Sequence, residues 1–424
     1  MTTFFYNTFL FLGLVLFFPK FLYQYFYLSK YRKSLFYRLG IKLPKFTRGE
    51  KDFIIWIHAI SIGETKSGTQ LVKEIQKKNP KARVVISSGT QTGHQEAEKL
   101  TKDAFYLPVD FSWILRKLIY QIRPNVLLLI ETDFWYHHLR FCKEVGAKVA
   151  LVSGKISKRS TRLYHFFPDF SKELFSYIDL FCVQNNVYRV RFESIGVAPD
   201  KIQVTGNLKY DQNTSLFSEK ELQEWREKLG IYEGDRVVTI ASTHAPEERW
   251  LAKELKKLWQ KDPSIKILLA PRHPERFASV ANLLKTENIS FVLLSRLHQK
   301  TSLEKVVLID VIGFLPVCYQ LSELAIIGGS FNDKIGGHNI LEPNFYQVPV
   351  FFGPHMATQV ELKKIVLHAQ AGAQVSLYEL ADRLEEYFKD ASEQAAMKKG
   401  AKDLVTSLKG RLDATYHAIQ PMLE

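Results

Sequence analysis

The sequence predicts an α/β protein with two successive Rossmann-like domains behind an amino-terminal hydrophobic helix. Short apolar runs alternate with amphipathic stretches from about residue 52, and the same alternation restarts near residue 236. Alternation of this kind is typical of a parallel sheet with helices on both faces. A length of 424 residues also exceeds what one hydrophobic core usually serves. Two domains are therefore expected.

The first 40 residues are predicted to be a membrane anchor. Phe4 to Phe18 carries no charge, and after Pro19 and Lys20 the chain continues as FLYQYFYL. The uncharged run is near the lower limit for crossing a bilayer core, which takes about 20 residues. A short or tilted span and an interfacial helix both fit it, and a buried helix of a soluble fold is the remaining alternative. No basic residue precedes the run and no cleavage site is evident, so a removable signal peptide is not expected.

The positive charge of the chain is concentrated at the same end. The formal net charge is +14, and the first fifty residues hold eight basic side chains against one acid. Lys30, Arg32, Lys33 and Arg38 follow the apolar run, so the positive-inside rule predicts that the rest of the chain is cytoplasmic. Nucleic-acid binding is disfavoured, because the basic residues interleave with an apolar segment and no nucleic-acid motif is present.

The first domain is predicted over residues 41–212, where FIIWIHA, ARVVISS, VLLLIE and KVALVS read as buried parallel strands. TKSGTQLVKEIQKK and QEAEKL read as helices between them. A polar, turn-rich stretch predicts a linker at 213–230. The second domain is predicted over 231–424, with strands RVVTIAS, KILLAP, SFVLLS, VVLIDV and LAIIGGS and terminal helices over 376–422. In such pairs the site is expected in the cleft that the carboxyl ends of both sheets face.

Three acids in the first domain follow predicted strands. Glu64 stands in the first turn of a predicted helix, where a carboxylate is favoured in its ionised form and is suited to act as a general base. An ordinary helix-capping acid is the alternative. Glu131 and Asp133 come directly after the strand VLLLI, and surface-loop acids are their alternative. The hydroxyl-rich loop Ser88 to Gly93 could line an acceptor groove, although such loops are often plain turns.

The second domain carries the residues expected to bind a phosphate. Arg272 follows the strand KILLA and could bridge a phosphate with two hydrogen bonds. Glycines at Gly328 to Gly329 and Gly336 to Gly337 expose backbone amides, and a helix predicted to start near Ile340 would add its dipole. Glu342 could accept hydrogen bonds from ribose hydroxyls. The alternative is an ordinary glycine-rich turn between two secondary-structure elements, without a binding role.

Neither a metal site nor a cofactor is expected. Cys142, Cys182 and Cys318 lie far apart without metal-ligand spacing, and no Asp-x-Asp pair occurs in the chain. No strand is followed by GxGxxG, which disfavours dinucleotide binding. A helix dipole and cations would then have to neutralise a leaving phosphate.

Taken together, these segments resemble the 3-deoxy-D-manno-octulosonic acid (Kdo) transferase family of lipopolysaccharide biosynthesis. The matching motifs, in the family's order, are WIHAISIGE, SSGTQTG, LPVDF, ETDFW, VTGNLKYD, ASTHAPEE, LAPRHPERF, DVIGFL, IIGGSF, GGHNILEP and FFGPHM. The resemblance implies a glycosyltransferase of GT-B fold that moves Kdo from CMP-Kdo, with inversion, to the lipid A precursor lipid IVA. It also implies the bacterial inner membrane, with the catalytic domains on the cytoplasmic face.

The resemblance also implies roles for individual residues. Glu64 matches the family's proposed general base and Glu131 a second acid. The expected donor-binding residues are Ser242, Thr243, Arg272, His273, Gly313, Gly329, Ser330, Gly337, Asn339 and Glu342. On the acceptor side they are Ser61, Gly63, Thr90, Thr92, Asp133 and Lys155. Two positions depart from the family pattern, which usually has Glu at Asp133 and commonly Arg at Lys155.

Two other functions fit parts of the pattern. One is another nucleotide-sugar enzyme of GT-B fold, either a transferase with a UDP donor or an epimerase. The other is an inactive lipid-binding membrane protein. The expected partners of the chain are CMP-Kdo, the lipid A precursor and membrane lipids. The number and linkage of the Kdo residues, the acyl-chain preference and the oligomeric state do not follow from the sequence.

Overall fold

The computed structural model describes residues 2–27, 34–49, 52–211, 216–299 and 304–424. It divides into two compact units, Met1–Gln212 with Lys409–Glu424 and Asn213–Leu408. The basic residues Lys30, Arg32 and Lys33 and the start of the predicted linker lie outside the described residues.

The amino-terminal segment forms two helices, α1 (Thr2–Phe26) and α2 (Leu35–Arg38). Within α1, Thr2–Lys20 is apolar and long enough to cross a membrane, and the protein does not bury it. Pro19 lies inside this helix.

The first unit is built on a parallel sheet that has seven strands among its described residues, in the order β3-β2-β1-β4-β5-β6-β7. The strands are β1 (Phe53–His58), β2 (Ala82–Ser88), β3 (Ala104–Tyr106), β4 (Val126–Ile130), β5 (Lys148–Gly154), β6 (Leu180–Val183) and β7 (Ile202–Val204). The helices are α3 (Ile62–Lys78), α4 (Gln91–Glu98), α5 (Ser112–Ile122), α6 (Tyr136–Glu144), α7 (Lys158–Phe166), α8 (Pro168–Ser176) and α9 (Asn186–Ser194). The strand order reverses between β1 and β4, and ligands bind at the carboxyl ends of strands flanking such a reversal.

The second unit repeats this plan, again with seven parallel strands in its described part, ordered β10-β11-β9-β8-β12-β13-β14. The strands are β8 (Arg236–Thr243), β9 (Ile265–Pro271), β10 (Phe291–Leu293), β11 (Val306–Leu308), β12 (Leu324–Ile327), β13 (Val350–Phe352) and β14 (Gly372–Gln374). The helices of the rest of the chain are α10 (Glu219–Leu229), α11 (Glu247–Lys261), α12 (Phe277–Thr286), α13 (Leu315–Leu321), α14 (Val360–His368), α15 (Leu380–Lys389), α16 (Ala391–Leu408) and α17 (Arg411–Leu423). The predicted class, two Rossmann-like α/β domains, is confirmed.

Two predicted boundaries differ from the structure. The segment expected to be a linker contains α10, whose Leu222, Trp225 and Leu229 pack into the core of the second unit. The terminal helix α17, which we assigned to the second domain, packs instead on the first unit. Its Tyr416 and Ile419 are buried there against Ile55 and Leu128. Apolar periodicity identifies a helix but does not say which sheet covers its apolar face.

We expect Ile419→Ala to destabilise the first unit by about 2–4 kcal/mol, because it leaves a cavity in a fully buried position. His417→Ala is the matched control, since that side chain is exposed on the same helix. The check is amide hydrogen exchange of β1 and β4 with increasing urea. Unchanged exchange in the Ile419 variant would show that α17 does not support this sheet.

Candidate active site

Glu64 is fixed at the carboxyl end of β1 by the start of α3. Ser61 caps the helix, and its hydroxyl accepts a hydrogen bond from the Glu64 amide at 3.4 Å. The Glu64 carboxylate accepts hydrogen bonds from the backbone amides of Ile60 at 2.6 Å and Ser61 at 3.2 Å. This reciprocal capping box holds the carboxylate in one orientation.

The pKa of Glu64 is raised to about 7. Burial is the largest cause, and the negative charges of Glu131 and Asp133 raise it further, against the two backbone hydrogen bonds that lower it. The amides of the helix start favour the ionised form, as expected, but burial outweighs them and leaves the pKa raised. A carboxylate with a pKa near neutrality is well suited to accept a proton in catalysis.

Glu131 follows β4 and is held between two lysines. Its side chain is 1% exposed, and its carboxylate pairs with Lys155 at 2.6 Å and with Lys209. Burial raises the pKa of Glu131, but the two ammonium groups outweigh burial and leave the pKa below its usual value. Glu131 is therefore a fixed negative charge, whereas Glu64 exchanges its proton near neutral pH.

Lys209 was missed in the sequence, where a single lysine in a polar turn looks like a surface residue. Its backbone amide donates to Asn207 Oδ1 at 3.0 Å, and Asn207 in turn donates to Gln184 Oε1 at 3.3 Å. Gln184 donates to the Ser153 carbonyl at 2.9 Å. This network ties the segment after β7 to the ends of β5 and β6. Lys209 lies in the quoted motif VTGNLKYD, which was the available signal.

Asp133 is oriented by a buried chain of hydrogen bonds. Its Oδ2 lies 2.6 Å from His58 Nε2, and His58 Nδ1 lies 2.8 Å from the Ser87 hydroxyl. Trp56 Nε1 donates to the same hydroxyl at 2.8 Å. Ser87 can then donate to His58 Nδ1, which leaves the proton of a neutral imidazole on Nε2, facing Asp133. His58 was not selected from the sequence, because a histidine inside an apolar strand resembles a core residue.

Backbone strain and a pocket mark the same strand ends. Glu131, Asp133 and Ser153 all have positive φ angles, 67°, 95° and 52°, a costly conformation for residues other than glycine that is commonly found at functional sites. A pocket of about 370 Å³ opens beside them. Its lining residues are Thr132, Asp133, Phe134, Lys155, Ile156, Ser157, Ser160, Tyr164 and Tyr188.

The remaining acceptor-side residues lie on two neighbouring helix starts. Thr90 caps α4 through the amide of Gly93 at 3.1 Å. Gly63 and Thr92 are exposed in the first turns of α3 and α4. A Cβ at Gly93 would come within 3.1 Å of the Ser61 carbonyl carbon, so the two starts are in close contact. Ser61, Gly63, Thr90 and Thr92 thus border one surface beside Glu64.

In the second unit, Glu247 joins the loops after two adjacent strands. Its carboxylate accepts hydrogen bonds from the amide of His244, after β8, at 2.7 Å and from the amide of Gly329, after β12, at 2.6 Å. Burial raises the pKa of Glu247 to about 7. The Arg272 amide also donates to the Thr243 carbonyl at 3.1 Å. Glu247 lies in the quoted motif ASTHAPEE but was not selected as a site residue.

Most predicted donor-side residues meet at this strand edge. Ser242 has a φ of 59°, and the Gly337 amide donates to the Gly329 carbonyl at 2.9 Å. His244 and His338 bring their Nε2 atoms within 2.7 Å of each other. Arg272, His273 and Asn339 are exposed beside them. Burial raises the pKa of Glu342, and the nearby charge of Arg272 opposes this rise.

Three predicted features differ in detail. Thr243 and Ser330 are fully buried, and the Ser330 hydroxyl donates to the Ile327 carbonyl and accepts from the Gly353 amide. That hydroxyl therefore shapes the turn. Gly313 is exposed with a φ of 88°, and no heavy atom would come within 4 Å of a Cβ there. The helix expected near Ile340 is wrong, since Pro343–Tyr346 forms one short 3-10 turn.

Glu64→Gln should change how stability depends on pH. A folded-state pKa raised to about 7 from the usual 4.5 contributes stability below pH 4.5, and this contribution is lost as pH rises through 7. We expect the free energy of unfolding of the variant, relative to that of the wild type, to rise by roughly 2 kcal/mol from pH 5 to pH 8, after allowance for solvent screening. Urea unfolding of the first unit at both pH values measures this. Glu221→Gln, at the exposed capping box of α10, should show no such gain, and an equal gain there would contradict the assignment to burial.

Comparisons with known proteins show the family of the chain. A family model described as 3-deoxy-D-manno-octulosonic-acid transferase (kdotransferase) matches residues 33–212. The chain is 35% identical over 377 residues to a 3-deoxy-D-manno-octulosonic acid transferase of Chlamydophila psittaci, covering 87% of this chain and 85% of that protein. It is 32% identical over 337 residues to the enzyme of that name from Haemophilus influenzae, covering 78% and 77%.

Solved structures extend the likeness to both units. A glycosyltransferase from Rickettsia africae matches 88% of this chain and 98% of its own, with a TM-score of 0.58 at 15% identity. A UDP-GlcNAc 2-epimerase from Neisseria meningitidis matches 87% and 100%, also with a TM-score of 0.58, at 13% identity. At such identity these two show the fold alone, which is the predicted GT-B type. The relatives that share sequence along most of the chain establish more, namely that this protein is a glycosyltransferase and belongs to the Kdo transferase family.

Proposed function

We propose that this enzyme transfers Kdo from CMP-Kdo to the lipid A precursor lipid IVA, with inversion at the anomeric carbon and without a metal ion. The observation that carries the proposal is the contrast between two neighbouring acids. Glu64 has a pKa of about 7, whereas Glu131 is held ionised by Lys155 and Lys209. One group can accept a proton near neutral pH while the other keeps its charge.

The reaction then follows from ordinary acid–base chemistry. The Glu64 carboxylate takes the proton of an acceptor hydroxyl as its oxygen attacks C2 of Kdo. The bond from C2 to the phosphate oxygen breaks, and CMP leaves with the electron pair. Attack on the face opposite the leaving group inverts the configuration. Arg272 would balance the charge of the departing phosphate, which supports the expectation that no metal is needed.

The acceptor side has polar groups that a phosphorylated glycolipid can contact. Lys155 and the serines Ser157 and Ser160 line the pocket beside Asp133, and ammonium and hydroxyl groups are common partners of phosphate and sugar oxygens. The apolar helix α1 supports attachment to a membrane, which we propose is the bacterial inner membrane with the catalytic units on its cytoplasmic face. A lipid-linked acceptor would then be available in the same plane.

Turnover of CMP-Kdo with tetraacylated, bis-phosphorylated lipid A precursor, in detergent with EDTA, tests the chemistry. We expect Glu64→Gln to lower kcat by about 10²–10⁴-fold, since general-base catalysis contributes that much. Glu221→Gln, which alters a capping box of the same type in α10, should keep full activity. Equal activity of the Glu64 variant and the wild type would remove Glu64 from the role of base, and an inactive wild type with this substrate pair would contradict the function.

Arg272→Met should raise the dissociation constant of CMP-Kdo at least tenfold, because it removes charge-assisted hydrogen bonds to phosphate. Isothermal titration calorimetry measures the constant directly. Arg249→Met is the control, since Arg249 is an exposed arginine on α11 and should leave affinity unchanged. UDP is added as a competitor in the same titrations. Displacement of CMP-Kdo by UDP at equal concentration would favour a UDP-sugar enzyme instead.

A further inference from the structure

The amino-terminal end of the apolar helix α1 is attached to the first unit. Asn7 Nδ2 donates to the Ser112 hydroxyl at 2.9 Å, and its Oδ1 lies 3.0 Å from His137 Nε2. Tyr6 packs on the rings of Tyr136 at 5.2 Å and Phe170 at 6.0 Å. The first two turns of α1 therefore lie against α5, α6 and α8.

The chain that follows α1 returns to the same unit. Ser34 is buried, Arg38 donates to the Gly89 carbonyl, and the Arg38 carbonyl accepts from the Val109 amide at 2.8 Å. Gly89 follows β2 and Val109 follows β3. The start of α1 and the chain from Ser34 onward are thus both held at the carboxyl edge of one sheet.

These two attachments disfavour a transmembrane span. If α1 crossed the bilayer, the eight residue steps from Phe26 to Ser34 would have to cross back. Fully extended, they reach at most about 28 Å, whereas the hydrocarbon core is about 30 Å thick. They would also carry Lys30, Arg32 and Lys33 through it, which is costly for charged side chains.

The exposed stretch of α1 is nevertheless too apolar to face water. From Thr2 to Pro19 the helix has no charged residue, and Phe9 and Leu16 are 73% and 75% exposed. Trp113, next to Ser112, and Phe166, next to α8, are exposed as well. Arg116 and Lys117 lie exposed one turn along α5, where they can meet anionic head groups.

We propose that α1 is an interfacial helix that enters one leaflet of an anionic bilayer and has both of its ends on the cytoplasmic side. This inference rests on the membrane attachment proposed above and is independent of the transferase chemistry. The partners of α1 and of the chain from Ser34 to Arg38 follow the carboxyl ends of β2, β3 and β4, which is the edge that carries Glu131 and Asp133. Glu131 and Asp133 would then lie at the membrane surface, where the head group of a lipid acceptor is located.

Cysteine cross-linking in membranes tests the attachment. With Asn7→Cys and Ser112→Cys together, oxidation of membrane-bound full-length protein should join the two positions, and Leu16→Cys with Ser112→Cys should not react. The native cysteines Cys142, Cys182 and Cys318 are buried, so background reaction is small. Absence of the first cross-link in active, membrane-bound protein would overturn the proposal.

Labelling of cysteine variants from one side of the membrane gives an independent measurement of the topology of α1. In inside-out vesicles an impermeant maleimide should label Thr2→Cys, although more slowly than the exposed control Ser392→Cys, because position 2 is partly buried beside Glu173. Labelling of Thr2→Cys only from the periplasmic side would show a span. Flotation with anionic and neutral vesicles distinguishes failure of the membrane attachment from failure of the proposed function. Protein that binds neither kind of vesicle would refute the attachment, whereas its turnover in detergent would be unaffected.

Discussion

The buried ion pairs of Glu131 organise the end of the first sheet. The Glu131 amide donates to the Val152 carbonyl at 2.8 Å, and its own carbonyl accepts from the Lys155 amide at 2.9 Å, so the segments after β4 and β5 are joined by backbone as well as charge. Lys209 adds the segment after β7. A buried carboxylate without these two cations would be neutral or strongly destabilising. Because Glu131 stays charged, it also helps to raise the pKa of Glu64.

Parts of the fold and site that depend on local pattern were predictable. Buried strands such as Val126–Ile130 consist of consecutive apolar residues, and acids directly after a central strand fall at the binding edge wherever the sheet is parallel. Partners that depend on distant chain segments were not. Lys209 reaches Glu131 across 78 positions of sequence, and Ile419 returns to the first core after the whole second unit. Neither relation leaves a local pattern.

Asp133 has a buried partner on the neighbouring strand. Its carboxylate lies 2.6 Å from His58, and His58 lies 2.8 Å from Ser87. These contacts fix the orientation of the carboxylate. Its negative charge also helps to raise the pKa of Glu64.

The packing of α17 on the first unit affects the order in which the two units can finish folding. Domains generally fold as units during synthesis, beginning at the amino terminus. Here the first core includes Tyr416, Ile419 and Met422, which leave the ribosome after the whole second unit. A nascent first unit therefore exposes the apolar surface that α17 later covers. During translation that surface is available to chaperones, and the first domain is completed by α17, a helix made after the second unit.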